Sequence, residues 1–322
     1  MLNKCCVFLL AIIGFNKLSH SQKLHYPVTG QVRDTVQVFG ENSISNGLAN
    51  RDFTISPSGN EMLYTIQLTR FLSSTILCIR QENGKWGKPE VASFSGIHRD
   101  LEASFSPDGN TIYFSSDRPV DVKDSVNDFD IWKVVRTADG KWGQPQHLGF
   151  TVNSPKNEFY ASVAKSGNIY FTVQAKYGKG GEDIVMCNYR NGAYDPPTGL
   201  PEAINSGKDE FNAFVDPDEQ FILFSSYGRA DDLGGGDLYM STKDATGNWT
   251  TAKHLPAPIN SAWLDYCPFV SPDKNAFFFS SNRVNPVIKN KIKKEYQQLM
   301  NLVNGPGNGA DDIYWIKFDA VR

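Results

Sequence analysis

Apolar positions in this chain fall in short unbroken runs such as Ile112-Tyr113-Phe114, Phe221-Ile222-Leu223-Phe224 and Phe277-Phe278-Phe279. Runs this short, bounded by Pro, Gly and Asn, read as strands, and their failure to alternate with polar residues predicts burial on both faces. The stretch FTISPSGNEMLYT returns as SFSPDGNTIYFSS, SVAKSGNIYFTV, FVDPDEQFILFSS and FVSPDKNAFFFSS. Anchored on Pro57, Pro107, Lys165, Pro217 and Pro272, the copies lie 50, 58, 52 and 55 residues apart, which makes five units.

Each unit carries the same punctuation. In the second, a strand ends at Phe105, Pro107-Asp108-Gly109-Asn110 form a tight turn, and the apolar strand follows. A third strand opens at Asp130-Ile131-Trp132 and recurs at Asp183, Asp237 and Asp312. A second turn then leads to a fourth strand opened by an aromatic, at Trp86, Trp142, Tyr194 and Trp249. A four-stranded antiparallel sheet of this size cannot cover both its faces, so the units must stack and close into a ring. The pattern predicts an all-β chain: a five-bladed β-propeller, with six blades as the alternative. The fifth unit ends after its third strand, and Val36-Gln37-Val38-Phe39-Gly40 resembles the other fourth strands within a one-residue slip. That N-terminal segment is expected to close the ring.

One stretch breaks the pattern. Ile292, Tyr296, Leu299 and Val303 fall on one stripe at helical spacing, predicting a helix over Lys289 to Asn304 within an insertion at 287–305, stopped by Gly305-Pro306-Gly307. The stripe is expected to pack on the propeller.

The sequence Ser106-Pro107-Asp108-Gly109-Asn110, then Ile112-Tyr113-Phe114-Ser115-Ser116-Asp117-Arg118, then Asp130-Ile131-Trp132, resembles the WD-repeat-like propeller repeat of the TolB type, common in bacterial envelope proteins. The resemblance covers about residues 36–322. It implies the propeller fold and an envelope location, and it implies little about activity, because propellers host many functions.

Compartment follows from the first residues. Lys4, an apolar run from Cys5 to Phe15, and small polar residues through Ser21 have the order of a secretory signal at 1–22, leaving 23–322 as a single propeller domain. No later run approaches the ~20 apolar residues of a membrane span. Lys plus Arg total 32 and Asp plus Glu 35, so there is no basic surplus for nucleic acid. Cys78, Cys187 and Cys267 follow the leader, an odd count without a CxxC, and are expected to be buried in strands.

Candidate chemistry comes from one register position. Seven residues before each anchor stand Asn50, Asp100, Glu158, Glu210 and Asp265, at the start of every innermost strand. They are expected to ring the channel mouth as ligand-binding residues, joined by His98. Such a ring must be compensated: by capping and pairing with Arg99, Arg118, Arg229 or Arg283, or by a cation such as Ca²⁺, to which Asp231, Asp232, Asp311 and Asp312 could add oxygens. No cofactor is expected, with Ca²⁺ in the central channel as the alternative. The glycine-rich loops 177–182 and 229–236 do not open helices, so they are not phosphate loops.

Two functional readings remain. A secreted or periplasmic, non-enzymatic binding or scaffold propeller at the cell envelope, with another envelope protein or a glycan as partner, is the first. A glycan-active hydrolase or lyase using channel carboxylates is the second. The sialidase pattern Ser-x-Asp-x-Gly-x-x-Trp is not matched, and His25, His98, His147 and His254 are few for a histidine-rich metal centre.

Overall fold

The computed structural model describes Tyr26 and residues 31–68, 71–121, 128–174, 180–289 and 294–321. The leader read at 1–22, His25, the Ile292 stripe position and the first half of the loop 177–182 lie outside the described residues. Five four-stranded antiparallel blades form the predicted five-bladed propeller, and the six-bladed alternative falls away. The second blade shows the common order, from the innermost strand Asp100–Phe105 through Thr111–Ser116 and Asp130–Val135 to a short outer strand Gln146–His147.

The hydrophobic core is five seams, one between each pair of neighbouring blades. Leu63, Ile76 and Ala92 of the first blade, for example, share a cluster with Ile112, Phe114 and Trp132 of the second. The apolar runs Ile169–Val173 and Ala276–Ser281 are buried at every position, which is why they do not alternate. Cys78, Cys187 and Cys267 are buried free thiols, as expected.

The outer strands depart from the predicted form. In the second and fourth blades the opening aromatics make single bridges, Arg136 with Trp142 and Lys243 with Trp249. The ladder resumes only at Gln146–His147 and Lys253–His254. In the second blade Pro145 stands between bridge and strand, without an N–H to give the ladder. Past the outer strands of the second, third and fourth blades an asparagine side chain finishes the pairing. Asn153, Asn205 and Asn260 each accept from one backbone N–H of the third strand and donate to the C=O of the same residue, Ile131, Ile184 and Leu238.

Ring closure has the predicted form. Gln37–Val38 pairs antiparallel with Asp312–Lys317, and the Phe39 N–H donates to the Ile313 carbonyl at 2.8 Å. Leu148, Leu200 and Leu255 make the same bond to Ile131, Ile184 and Leu238. Phe39-Gly40 therefore aligns with Leu148-Gly149, and Ser45 Oγ takes the place of the asparagine amide at Ile313. Gly47, at φ +84°, passes so close to the Asn304 backbone that a Cβ would lie 2.5 Å from its carbonyl.

The insertion is a correction. It contains two short helices, Pro286–Lys289 and Tyr296–Val303, with Glu295 capping the second. No residue of the second helix is buried, and Tyr296, Leu299 and Val303 are exposed. The apolar positions of this helix that are partly covered are Met300 and Leu302, outside the predicted stripe. Among the described residues no helix is long and apolar enough to cross a membrane.

Candidate ligand site at the channel mouth

The acids expected at the mouth are buried, and each is turned into the base of its own blade. Asp100 accepts from Ser116 Oγ at 2.7 Å and from Arg118 at 2.6 Å. Glu210 accepts from Ser206 Oγ at 2.6 Å and pairs with Arg229 at 2.8 Å, while Asp265 accepts from Ser261 Oγ at 2.7 Å and pairs with Arg283 at 2.5 Å. Asn50 donates to Asn46 Oδ1 at 3.0 Å. The arginines lie over the aromatics of the next strands, Arg229 at 4.6 Å from the Tyr239 ring and Arg283 at 4.7 Å from that of Tyr314. The repeated acids and arginines are thus bolts that fix strand ends, and none of the five lines a cavity on the axis. His98, partly buried, does not line one either. His147 and His254 pair with Asp130 and Asp237 at 3.0 and 2.7 Å on the outer strands.

Glu158 is the exception among the bolts. Ser154 supplies its N–H at 3.2 Å and its hydroxyl, but no arginine is among its described partners. Burial pushes its carboxyl up to about 8, with the neighbouring Asp130 and Asp128 adding to the rise against the Ser154 bonds. A carboxyl raised in the folded state favours folding while protonated. The contribution is full below the ordinary value of 4.5 and is lost as pH rises towards about 8. Glu158→Gln should therefore flatten the fall in stability between about pH 5 and pH 8. Urea midpoints of the two proteins at those pH values check this, and parallel curves would refute it.

The residues that do point at the axis lie two positions further on. Every innermost strand carries a bulge, after Arg51, Leu101, Phe159, Phe211 and Tyr266. The bulge residue adopts a left-handed backbone in all five: Asp52 at φ 60°, Glu102 at 59°, Tyr160 at 53°, Asn212 at 49° and Cys267 at 51°. Each such residue costs of the order of 1 kcal/mol or more and persists only where its surroundings impose it. The bulges turn these side chains from the seams into the channel, where they meet Arg51.

Together they close the pore. The Arg51 guanidinium lies 2.6 Å from both Asp52 Oδ1 and Glu102 Oε1, and 4.8 Å from the centre of the Tyr266 ring. Asn212 donates to Glu102 Oε1 at 3.0 Å, Cys267 Sγ donates to Asp52 at 2.8 Å, and the Tyr160 hydroxyl donates to the Pro268 carbonyl at 2.8 Å. Burial pulls against the charged form of Arg51, but Asp52 and its other neighbours hold it well above the ordinary range. Burial drives Glu102 upward despite Arg51, and the nearby Asp52 adds to the rise. One guanidinium between two buried carboxyls accounts for both directions: it stays charged, and it does not offset the desolvation of the second acid.

Asp52, Glu102 and Cys267 bring one ligand atom each within 4.8 Å of one another. This donor set fits Ca²⁺ poorly, because it offers two carboxylates, a thiol and a fixed guanidinium already between the oxygens. Of the further acids read as cation ligands, Asp231 accepts from Tyr239, Asp312 accepts from the Gly307 N–H, and Asp232 accepts from the N–H groups of Gly228 and Gly234. Asp311 alone reaches the channel mouth.

The plug separates two blind cavities. One, on the face of the strand-one-to-two turns, holds about 330 Å³ and is lined largely by apolar residues such as Phe53, Phe105, Phe214 and Phe269. The other, of about 620 Å³, opens between the loops joining second and third strands. Phe129, Phe159, Phe211 and Tyr266 supply its aromatic surface, with amides from Gln67, Asn157, Gln174 and Asn282. Its floor is Arg51 and Glu102, and Glu182 and Asp311 add carboxyls. Both of these are also raised, chiefly by burial. A cavity of this size, with aromatic walls, convergent polar groups and several raised carboxyls, has the make-up of a ligand site. Of these lining residues the sequence reading singles out Asp311, but not Glu102, Glu182 or the aromatics.

No family model matches the chain, and no curated protein does. Among solved structures, BT0996 in its RGII complex superposes with a TM-score of 0.52 at 7% identity, covering 89% of this chain and 90% of that protein. The α-L-arabinofuranosidase PaAbf62A from Podospora anserina, in complex with cellotriose, gives 0.50 at 12% identity over 84% and 91%. What is shared is the fold. TolB from Acinetobacter baumannii gives 0.47 at 13% identity, covering 83% of this chain and 54% of that protein, so this chain spans about half its length.

Proposed function

We propose that this chain is an exported, non-enzymatic binding propeller of the cell envelope that receives a glycan-like ligand in its mouth cavity. The observation that carries the reading is the 620 Å³ cavity itself, floored by the buried plug, with phenylalanine faces beside side-chain amides. Aromatic faces match the apolar surface of a sugar ring, and amides match its hydroxyls. Asn157 donates to Gln174 Oε1 at 2.6 Å and Gln174 to Glu182 at 2.5 Å, so the amides hold one another in place along the rim. The leader-like start of the sequence supports export. The double substitution Asn157→Ala with Gln174→Ala should weaken glycan binding about tenfold or more while leaving the melting temperature within a few degrees. A glycan array followed by titration calorimetry measures it, and an unchanged affinity would sink the proposal.

Hydrolysis is the second reading, favoured by three raised carboxyls, Glu102, Glu182 and Asp311, around one cavity. It requires that reducing ends accumulate from a bound glycan and that Glu102→Gln abolishes their release. Binding without product leaves the first reading alone.

A further inference from the structure

Among the described residues the lining of the mouth cavity is short of positive charge. Its described lining contains two guanidinium groups, Arg51 and Arg99, and neither lysine nor histidine. Both are already engaged, Arg51 by Asp52 and Glu102 and Arg99 by Asp117 at 2.6 Å. Against them stand five carboxyls: Glu102, Glu182 and Asp311 in the lining, with Asp52 and Asp117 as first partners. Among the described residues Glu182 receives an amide from Gln174, and Asp311 a hydroxyl from Tyr266, neither of which brings charge.

A second observation is independent of that count. Glu102 is 4% exposed, and its Oε2 has no hydrogen-bond partner among the described residues although Oε1 has two. An unpartnered carboxyl oxygen at this depth costs of the order of 1–3 kcal/mol or more. Glu102 stands on the wall of this cavity and of the apolar one beyond the plug, with Oε2 itself covered, so a ligand donor meets it once the side chains over it give way.

We infer that the cavity takes a ligand carrying an ammonium group, namely a glycan of amino sugars, with Glu102 Oε2 accepting from the charged nitrogen. The inference rests on the glycan reading above and adds the charge of the sugar to it. A metal ion answers the same charge shortage less well. It could use the carboxyl and amide oxygens of the lining but not the phenylalanine walls. An ammonium on a carbon skeleton uses both features, since its charge meets the carboxyls and its substituents or its cation face meet Phe159 and Phe211. Burial is the largest cause of the upward displacement of Glu102, Glu182 and Asp311, and an ammonium group beside them would offset it.

The test compares three disaccharides of similar shape, the β-1,4 glucosamine dimer, its N-acetylated form and cellobiose, together with calcium chloride. Calorimetry at about pH 6.5, below the ordinary range of an amine, keeps the first cationic. The glucosamine dimer should bind at least about tenfold more tightly than the other two, equivalent to one charge-assisted hydrogen bond. Glu102→Gln should remove that preference. Glu182→Gln, on the cavity wall and outside the plug, should reduce it, and keeps the result readable if the Glu102 variant fails to fold. Equal affinity for all three sugars overturns the charge inference and leaves the glycan reading standing. No binding by any sugar overturns both. Calcium that binds and displaces the glucosamine dimer, or a preference retained in both variants, overturns the assignment to an ammonium ligand.

Discussion

Arg51→Met is expected to destabilise the protein by about 3–5 kcal/mol, the usual effect of removing one partner from a buried ion pair. Methionine fills much of the same volume but leaves the Asp52 and Glu102 carboxyls facing each other at the axis without a cation. The variant should also change how stability depends on pH. Glu102 is already raised in the folded protein, and removing the guanidinium raises it further. A carboxyl displaced in that direction contributes its full stability below the ordinary carboxyl range and loses it as pH rises through the folded value. Glu102 stands at about 8 in the intact protein, so the deficit should be smallest near about pH 6 and largest near about pH 9, where only the variant keeps this carboxyl protonated. Adding Glu102→Gln should recover part of it at the higher pH, because one of the two buried acids is then neutral. Denaturant midpoints for the single and double variants at both pH values give the answer. A uniform loss across pH, without recovery in the double variant, would mean that Arg51 acts by packing alone.

Deletion of residues 36–46 should have a comparable or larger effect. These eleven residues supply the outer strand of the last blade and the connection into the first. Phe39 is fully buried and touches Tyr26, Phe53, Phe278 and Trp315 edge-on. Loss of that one side chain is worth about 3–5 kcal/mol. Deletion also bares the Asp312–Lys317 edge and removes the Ser45 bonds to Ile313. A melting temperature lower by roughly 10 °C or more, or an insoluble product, is expected. A circular permutant that carries residues 36–46 after the last blade should melt near the intact protein, since the strand reaches the same edge from either end. An unchanged melting temperature in the deletion would refute ring closure by this segment.

The ring is legible in the sequence because its cues are local. Turn residues such as Pro107-Asp108-Gly109-Asn110, and a short apolar run in the strand that follows, recur from blade to blade. Phe39-Gly40 can be matched to Leu148-Gly149 from residue types alone. The site is displaced by two residues from the expected position for a physical reason. Positions that repeat in residue type share a job, and the job of Asp100, Glu210 and Asp265 is to accept a serine and an arginine within their own blade. Positions at the axis face different neighbours across the ring, so Asp52, Glu102, Tyr160, Asn212 and Cys267 have no one side-chain type in common. What they share is a left-handed backbone at a bulge, which no propensity marks for non-glycine residues of such different kinds. Two residues' difference in register separates a bolt from a channel-lining group. The exposed stripe of Tyr296–Val303 shows the complementary limit, because periodicity tells which residues share a helix face and not whether anything covers it.

A crystal structure of the protein with the glucosamine disaccharide addresses the account most directly. The sugar should lie in the mouth cavity against Phe159 and Phe211, its nitrogen within hydrogen-bond distance of Glu102 Oε2, with Arg51 still closing the pore beneath it. Density for the sugar elsewhere on the molecule, or an axis left open with Arg51 swung away from Asp52 and Glu102, would contradict it.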